Sequence, residues 1–303
     1  MEQVDTYDQD GRMHLSELYK NYDKLLVHGW KKELVYEQLL SNGQKLPVYA
    51  YISSGEGDQW LWILSGVHGE EPAGPNALAE KIEKIATLPN KGIPVVMIPV
   101  FNPKGYIVDD RYFDEHRDHE KGHSVTDADH LLPKVEDSTQ MRADKPSNEY
   151  AREVFGWVVK MLPDHPPFLV VDHHEDEIEK TSHVDSRGTY CYANGDPEVL
   201  RLLLASVGQG LEEIGFSLLK NHPTRFDQNG SKEQTDDNGF IINAVDGSID
   251  EFLYLVGHAK AVLVIETTRD DLVDIPLEVR KAGHGVIIDS YEKLWNQLQT
   301  KSN

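Results

Sequence analysis

Short runs of consecutive apolar residues, two of them followed at once by ionisable side chains, limit most strongly what this chain can fold into. These runs occupy residues 60–64, 95–100, 168–171 and 261–265. Because none of them alternates apolar with polar residues, each is typical of a strand that is buried on both faces of a sheet. Segments between the runs carry apolar residues at helical spacing, and one of them predicts a helix over residues 71–86. The pattern therefore predicts an α/β fold in which helices cover both faces of a sheet.

One domain is expected to span residues 1–303. Hydrophobic residues make up 39% of the chain, which is enough for a sizeable core. No linker rich in Gly, Ser or Pro and no sharp change of composition divides the sequence. Near the start, residues 33–54 are typical of a β-hairpin, because Asn42 and Gly43 tolerate the positive φ angles of a tight turn.

The charge balance is strongly acidic and excludes some partners. The chain has 30 Lys and Arg residues against 52 Asp and Glu residues, which gives a formal net charge of -22. A surface of this sign repels the phosphates of nucleic acids and of anionic membranes, so neither is expected as a partner. The acidic first residues do not resemble a signal peptide, and no apolar run approaches the roughly 18 residues of a membrane-spanning helix. A cytoplasmic location is therefore expected.

Candidate site residues lie where the buried strands are predicted to end. His68 with Glu71, His174 and Glu266 each come shortly after one of the apolar runs. Ligands of open α/β sheets collect at the carboxyl ends of the strands, so these distant segments are expected to form one site. A lone histidine or glutamate is more often structural or solvated, but the repetition at several strand ends favours a shared role.

This set of residues favours a catalytic zinc ion. The chain has one cysteine, Cys191, so a metal has to be held by His, Asp or Glu. Two histidines and a carboxylate, here His68, His174 and Glu71, hold a zinc ion while leaving a fourth position for water. Glu266 would then accept a proton from that water as it attacks a carbonyl, and would pass the proton to the leaving amine.

Five short motifs follow one another along about two thirds of the chain. They occupy residues 66–71 (GVHGEE), 102–106 (NPKGY), 172–174 (DHH), 247–250 (GSID), and Glu266 with residues 269–270 (RD). In turn, they resemble the His-x-x-Glu, Asn-Pro-Asp-Gly-Tyr, Asp-x-His, Gly-Ser-Ile-Asp and Glu-Leu-Arg-Asp segments of the carboxypeptidase A-like zinc metallopeptidases. Each motif alone is weak evidence for a resemblance to this family, and the five together are strong evidence.

The resemblance implies a fold and a metal site. The fold would be a single domain with a mixed, twisted sheet of about eight strands between helices. One zinc ion per chain would be held by His68, Glu71 and His174, with His174 rather than His173 as the third ligand. Glu266 would be the general base.

The resemblance also implies further residues near the metal. Relatives have an arginine several residues after the Asn-Pro turn that stabilises the oxyanion. Arg111 fits this position best, and Arg117 is the second choice. Relatives also carry an aspartate that orients the first zinc-binding histidine, and Asp127 occupies that position.

The chain departs from the family pattern where relatives grip the free carboxylate of a substrate. Their Asn-Arg pair is replaced by Asp129 and His130, and their substrate-capping tyrosine falls at Ile242. The arginine beside their zinc-binding glutamate is replaced by Glu70. The groups that activate water are therefore present, whereas the clamp for a terminal carboxylate is not. Asp129, His130 and Ile242 remain substrate-binding positions without an assigned specificity.

These observations predict a zinc-dependent hydrolase of amide bonds that acts on a peptide or an N-acyl-amino acid. An amidoacylase resembling succinylglutamate desuccinylase or aspartoacylase is the alternative, which the missing clamp favours. A zinc-binding protein without catalysis is a third reading, and the retention of Glu266 counts against it. The sequence leaves open the oligomeric state and whether a second metal binds at His173 or Asp129.

Overall fold

A computed structural model gives the fold of residues 10–40, 42–111, 149–177, 187–226, 232–242, 248–269 and 275–302. Within these ranges the strands are β1 (Lys31–Leu39), β2 (Lys45–Ile52), β3 (Trp60–Ser65), β4 (Val95–Ile98), β5 (Pro167–Glu177), β6 (Gly188–Gly195), β7 (Ser217–Leu218), β8 (Pro223–Phe226), β9 (Lys232–Gln234), β10 (Phe240–Ile242) and β11 (Ala261–Arg269). The α-helices are α1 (Leu15–Tyr22), α2 (Ala73–Glu80), α3 (Ile82–Ala86), α4 (Pro103–Val108), α5 (Glu149–Met161), α6 (Pro197–Glu213), α7 (Ile249–Leu255) and α8 (Leu277–Ser302). None of these helices combines the length and the apolar character that crossing a membrane requires.

The strands form a mixed sheet, so the predicted fold class is confirmed. The strand order is β1-β2-β4-β3-β5-β11-β6-β10, and β7 pairs with β6 as a ninth strand. The central strands β4, β3, β5 and β11 run parallel to one another, whereas β2 and β6 pair antiparallel to this central group. Strands β8 and β9 form a separate antiparallel pair. A single domain over residues 1–303 stays a prediction.

Two central strands extend beyond their apolar runs. β5 continues to Glu177 and β11 continues to Arg269, so the prediction that β5 ends where its polar run begins at Asp172, and that β11 ends at Glu266, is wrong. The polar residues stay in the sheet because the two extensions pair with each other as far as Glu177 and Arg269. Glu266 also pairs with Tyr190 of β6 on its other side. Apolar content marks the part of a strand that is covered on both faces, and it does not mark where backbone pairing stops.

The turn residues predict the first hairpin correctly, whereas the apolar spacing does not predict where the next helix begins and ends. The predicted hairpin is confirmed as β1 and β2, with Gly43 at a φ angle of 81° in the turn. The helix predicted over residues 71–86 begins later, at Ala73, and is interrupted at Lys81 to give α2 and α3. The sequence does not predict β6, because its residues GTYCYANG carry glycines at both ends and an asparagine beside the second glycine.

The hydrophobic core lies on both faces of the sheet. Successive residues of β3 point to opposite faces, as the geometry of a strand requires. Trp60 and Trp62 pack on the face covered by α5 and α7, whereas Leu61 and Ile63 pack on the face covered by α2, α6 and α8. All four side chains are buried. This burial explains why β3 consists of consecutive apolar residues.

A chain of buried polar groups joins α8 to two central strands. His173 of β5 and His284 of α8 are 2.9 Å apart at their Nδ1 atoms, and His173 also contacts the Tyr291 hydroxyl through Nε2. The Nε2 atom of His284 lies 3.1 Å from the hydroxyl of Thr267 on β11. Burial lowers the pKa of His284 to about 3 and holds the pKa of His173 well below its ordinary value. Both rings are therefore neutral in the folded protein near pH 7.

We expect His284 to make the folded protein sensitive to acid. A histidine in an unfolded chain has a pKa of about 6.5, so below that pH the unfolded chain takes up a proton that the folded chain excludes. His284 therefore costs no stability well above that pH, and it costs an increasing amount as the pH falls toward its folded pKa of about 3. Between about pH 7.5 and pH 5.5 this single residue should lower the free energy of unfolding by about 1.4 kcal/mol.

Urea unfolding at those two pH values, in the presence of a metal chelator, measures this loss. His284→Gln should reduce the loss by the stated amount, because the glutamine does not titrate. His28→Gln is the control, because His28 lies at the surface, outside this buried group of side chains. An identical pH dependence in the wild type and in His284→Gln would contradict the assignment.

Candidate metal centre

Three buried side chains from distant segments meet at the carboxyl edge of the parallel strands. His68 lies in the loop after β3, Glu71 lies two residues before α2, and His174 lies on β5. The Nδ1 atom of His68 is 2.7 Å from Glu71 Oε1, and the Nδ1 atom of His174 is 3.0 Å from Glu71 Oε2. The potential ligand atoms all lie within 4.8 Å of one another. The described part of the chain therefore contains a His-Glu-His group that could hold a metal ion.

The geometry of this group fits a tetrahedral metal ion. The Nδ1 atoms of His68 and His174 face each other at 3.2 Å, and two ligands bound at about 2.0–2.1 Å to one tetrahedral zinc ion are about 3.4 Å apart. The other ring nitrogen of His174, Nε2, lies 3.3 Å from Asp172. A carboxylate in this place is what orients many metal-binding histidines. Two imidazoles and one carboxylate are also a known ligand set of catalytic zinc, so the residues present fit zinc.

Opposite charges hold the His-Glu-His group together. Burial alone would raise the pKa of Glu71, but the adjacent His68 and His174 hold it well below its ordinary value. Burial alone would lower the pKa of His174, but Asp172 and Glu71 hold it well above its ordinary value. A metal ion would therefore compete with a proton for the imidazole nitrogen, and its binding would be coupled to the release of that proton.

Glu266 lies beside this group on the neighbouring strand. It is in register with His174, so both side chains lie on the same face of the sheet. Its side chain is buried, and its Oε2 atom has no hydrogen-bond partner among the described residues. Burial, reinforced by the charges of Glu71 and Asp176, raises the pKa of Glu266 to about 8. A buried carboxyl group with a free oxygen and a raised pKa is suited to proton transfer.

The loop that carries His68 and Glu71 packs tightly against the turn that begins α4. Asn102 caps α4 by accepting the N–H of Gly105 at 2.9 Å. A Cβ atom at Gly69 would lie 2.1 Å from the carbonyl carbon of Gly105. Only glycine therefore fits at this position between the two candidate ligands.

This close packing brings Arg111 to the His-Glu-His group. The Gly69 N–H donates to the backbone carbonyl of Arg111 at 3.3 Å. The Nη1 atom of Arg111 lies 2.9 Å from Glu71 Oε1 and 2.9 Å from Glu70 Oε1. A fixed cation in this place is able to stabilise the negative charge that develops on a carbonyl oxygen. That role of Arg111 stays a prediction.

The other predicted substrate-binding and orienting residues are not brought to the group by described contacts. Ile242 ends β10, in register with Ala193 of β6, and it packs half-buried against the core. Ala193 pairs with Leu263, which precedes Glu266 on β11 by three positions, so the register places Ile242 away from Glu266. The remaining predicted residues lie outside the described part of the chain and stay predictions: Arg117, Asp127, Asp129 and His130.

Residues on the opposite face of β5 support the His-Glu-His group, and no motif in the sequence indicates them. Residues 172–176 read DHHED, and alternate residues of a strand point to opposite faces. Asp172 and His174 face the metal group, whereas His173 and Glu175 contact residues of α8. Applying a period of two to this run would have separated the two sets. No sequence signal named their partners in α8.

Comparison with solved structures finds this fold in proteins of low sequence identity. A candidate metallopeptidase from Shewanella amazonensis is 19% identical, with a TM-score of 0.65 over 92% of this chain and 91% of that chain. A candidate metallopeptidase from Shewanella baltica is 16% identical, with a TM-score of 0.66 over 95% and 93% of the two chains. Bovine thrombin-activatable fibrinolysis inhibitor, solved with tick carboxypeptidase inhibitor, is 14% identical, with a TM-score of 0.58 over 96% and 99%. No protein-family model and no curated protein matches the sequence.

These likenesses define the architecture of the chain. It has the carboxypeptidase-like α/β fold, with a mixed sheet that carries the His-Glu-His group at one edge. One fold supports many activities, so at these identities the chemistry has to be argued from the residues of the site.

We expect Gly69→Ala to disrupt the His-Glu-His group. The added Cβ atom meets backbone, which cannot swing aside as the end of a flexible side chain does. Overpacking of this kind costs about 1–3 kcal/mol of stability. The displaced loop carries both His68 and Glu71, so the affinity for zinc should fall as well.

Thermal unfolding and a calorimetric zinc titration check this expectation. Gly156→Ala in α5 is the matched control, because an added Cβ there meets no atom within 4 Å. The control should keep the zinc affinity of the wild type and should be neutral or slightly stabilising. A Gly69→Ala protein that binds zinc as the wild type does would show that the loop tolerates the extra carbon.

Proposed function

We propose that this chain is a zinc-dependent hydrolase of amide bonds, of the metallocarboxypeptidase type. The observation that carries the proposal is the position of Glu266, a buried carboxyl group in register with His174 and on the same face of the sheet. A purely structural metal site needs no such group, whereas hydrolysis needs a base beside the metal. The fold shared with candidate metallopeptidases of two Shewanella species supports the proposal.

Each residue of the site has a separate role in this proposal. His68, Glu71 and His174 hold one zinc ion per chain. When bound, zinc lowers the pKa of a coordinated water to about 7 and polarises a carbonyl group. Glu266 accepts the proton of the attacking water and delivers it to the leaving amine. Arg111 stabilises the negative charge on the carbonyl oxygen.

A metal and turnover assay on purified variants tests the ligands and the base. We expect one zinc ion per wild-type chain and near-complete loss of zinc in His174→Ala. His173→Ala should keep its zinc, because His173 contacts α8 on the opposite face of β5. Glu266→Gln should also keep its zinc while losing about 10²–10⁴-fold in turnover, which is the usual contribution of a positioned general base.

The outcomes of this assay separate the alternatives. Wild-type protein without zinc would contradict the metal site, and full turnover by Glu266→Gln would remove Glu266 as the base. Zinc without cleavage of any amide, across a panel of peptides and N-acyl-amino acids, would identify a zinc-binding protein without catalysis. Cleavage confined to N-acyl-amino acids would identify an amidoacylase instead.

We expect peptides with an amidated C-terminus to be cleaved better than the same peptides with a free C-terminal carboxylate. A terminal carboxylate is recognised by a cationic, bidentate partner. The matching positions here are Asp129 and His130, and an aspartate repels a carboxylate. Hydrolysis rates of matched free and amidated peptides measure the preference, and efficient cleavage of the free acids alone would refute it.

A further inference from the structure

Glu175 is a buried carboxylate directly behind the candidate ligand Glu71. Its backbone N–H donates to Glu71 Oε2 at 3.1 Å. Its own Oε2 atom accepts the backbone N–H of Ala73 at 2.7 Å, and its Oε1 atom contacts the guanidinium of Arg280 on α8. Glu175 is 4% exposed and Arg280 is 6% exposed. One residue therefore connects the candidate ligand, the first residue of α2 and the last helix.

The start of α2 needs a hydrogen-bond acceptor from outside the helix. The first N–H groups of any helix have no partner within it, and the residue before α2, Pro72, supplies no capping side chain. Glu175 supplies the acceptor from β5, and the helix dipole favours a carboxylate at this end. Because Glu71 lies two residues before Ala73, an acceptor that fixes the start of α2 also fixes the backbone that carries Glu71.

Stability alone does not account for the Glu175–Arg280 ion pair. Two buried charges lose their hydration, and replacing such a pair by apolar residues is often neutral or stabilising. Apolar residues such as Ile287 and Leu294 already pack α8 against this face of the sheet. The particular effect of the pair is to hold a carboxylate at one place beside Ala73.

We propose that Glu175, held by Arg280, is a positioning residue that sets the orientation of the metal ligand Glu71 by capping α2. This inference rests on the metal site of the proposed function and adds a residue to its support. Glu175 acts through Ala73 and through its own backbone N–H to Glu71. The orientation of Glu71, and with it the affinity of the site for zinc, therefore depends on an oxygen acceptor at position 175.

Two double variants test the dependence on this acceptor. Glu175→Leu with Arg280→Met removes the acceptor without leaving a buried charge, whereas Glu175→Gln with Arg280→Met keeps an oxygen at the same place. Zinc affinity is measured by competition with a chromophoric chelator. We expect the leucine variant to bind zinc about 10–100-fold more weakly than the wild type, and the glutamine variant to recover most of that loss. Urea unfolding of the metal-free proteins measures their stability separately.

An ion pair between α8 and α2 provides the matched control. Lys281 follows Arg280 in α8 and contacts Glu80 at the other end of α2. Glu80→Leu with Lys281→Met therefore removes a link between α8 and α2 without touching the start of α2. Its zinc affinity should equal that of the wild type. The visible absorption of the cobalt-loaded proteins should differ from the wild type in the leucine variant alone, because that spectrum depends on the arrangement of the ligands.

Several outcomes would overturn the inference. Equal zinc affinities in the leucine and glutamine variants would show that the acceptor for Ala73 does not matter. A leucine variant that fails to fold while the glutamine variant folds would assign Glu175 a structural role only. Failure of the proposed function looks different: wild-type protein would then bind zinc no better than His68→Ala, and this inference would fall with it.

Discussion

The parallel pairing of β5 with β11 is the constraint on which the candidate site depends. It places Glu266 beside His174 at the spacing of adjacent strands, about 4.8 Å, with both side chains on one face. A slip of one residue would turn one of them to the opposite face. β3 runs parallel to β5 on its other side, so the loop with His68 and Glu71 leaves the sheet at the same edge. The candidate ligands and base thus meet because of sheet register.

Several ionisable groups are buried at the carboxyl edge of the parallel strands. Some of them have charged or hydrogen-bonding partners, and another has an oxygen without a partner among the described residues. Glu71 lies between two imidazoles and a backbone N–H, and Glu175 is paired with Arg280. By contrast, Oε2 of Glu266 has no hydrogen-bond partner among the described residues. An unsatisfied buried carboxyl group costs stability. A buried carboxyl group of this kind therefore indicates a functional site at this edge rather than a contribution to the stability of the fold.

Sequence patterns predicted those parts of the fold and site that depend on neighbouring residues. Apolar runs located β3, β4, β5 and β11, and two turn residues located the first hairpin. The convergence of His68, Glu71 and His174 followed from strand ends and motif spacing, and the structure brings these residues together. The length of β5 and β11 did not follow, because it is set by pairing with neighbouring strands rather than by the apolar run itself.

Long-range partners were also beyond the reach of sequence patterns. Arg280 is 105 positions from Glu175, and His284 is 111 positions from His173. No local spacing links residues so far apart, and the helix that carries them follows only the general rule that helices cover a sheet. β6 also depends on long-range contacts. Its glycines and asparagine weaken the apolar pattern, whereas its pairing with β11 and β10 maintains the strand.

The run of ionisable residues in β5 explains why the last helix belongs to the site. A strand in the centre of a sheet cannot present His174 to one face without presenting its neighbours to the other. His173 and Glu175 therefore face the core side, where polar groups without partners would be costly. α8 supplies the partners: His284 contacts His173, and Arg280 contacts Glu175. The candidate metal centre thus needs a polar surface on α8, even though the helix lies on the opposite side of the sheet from Glu266.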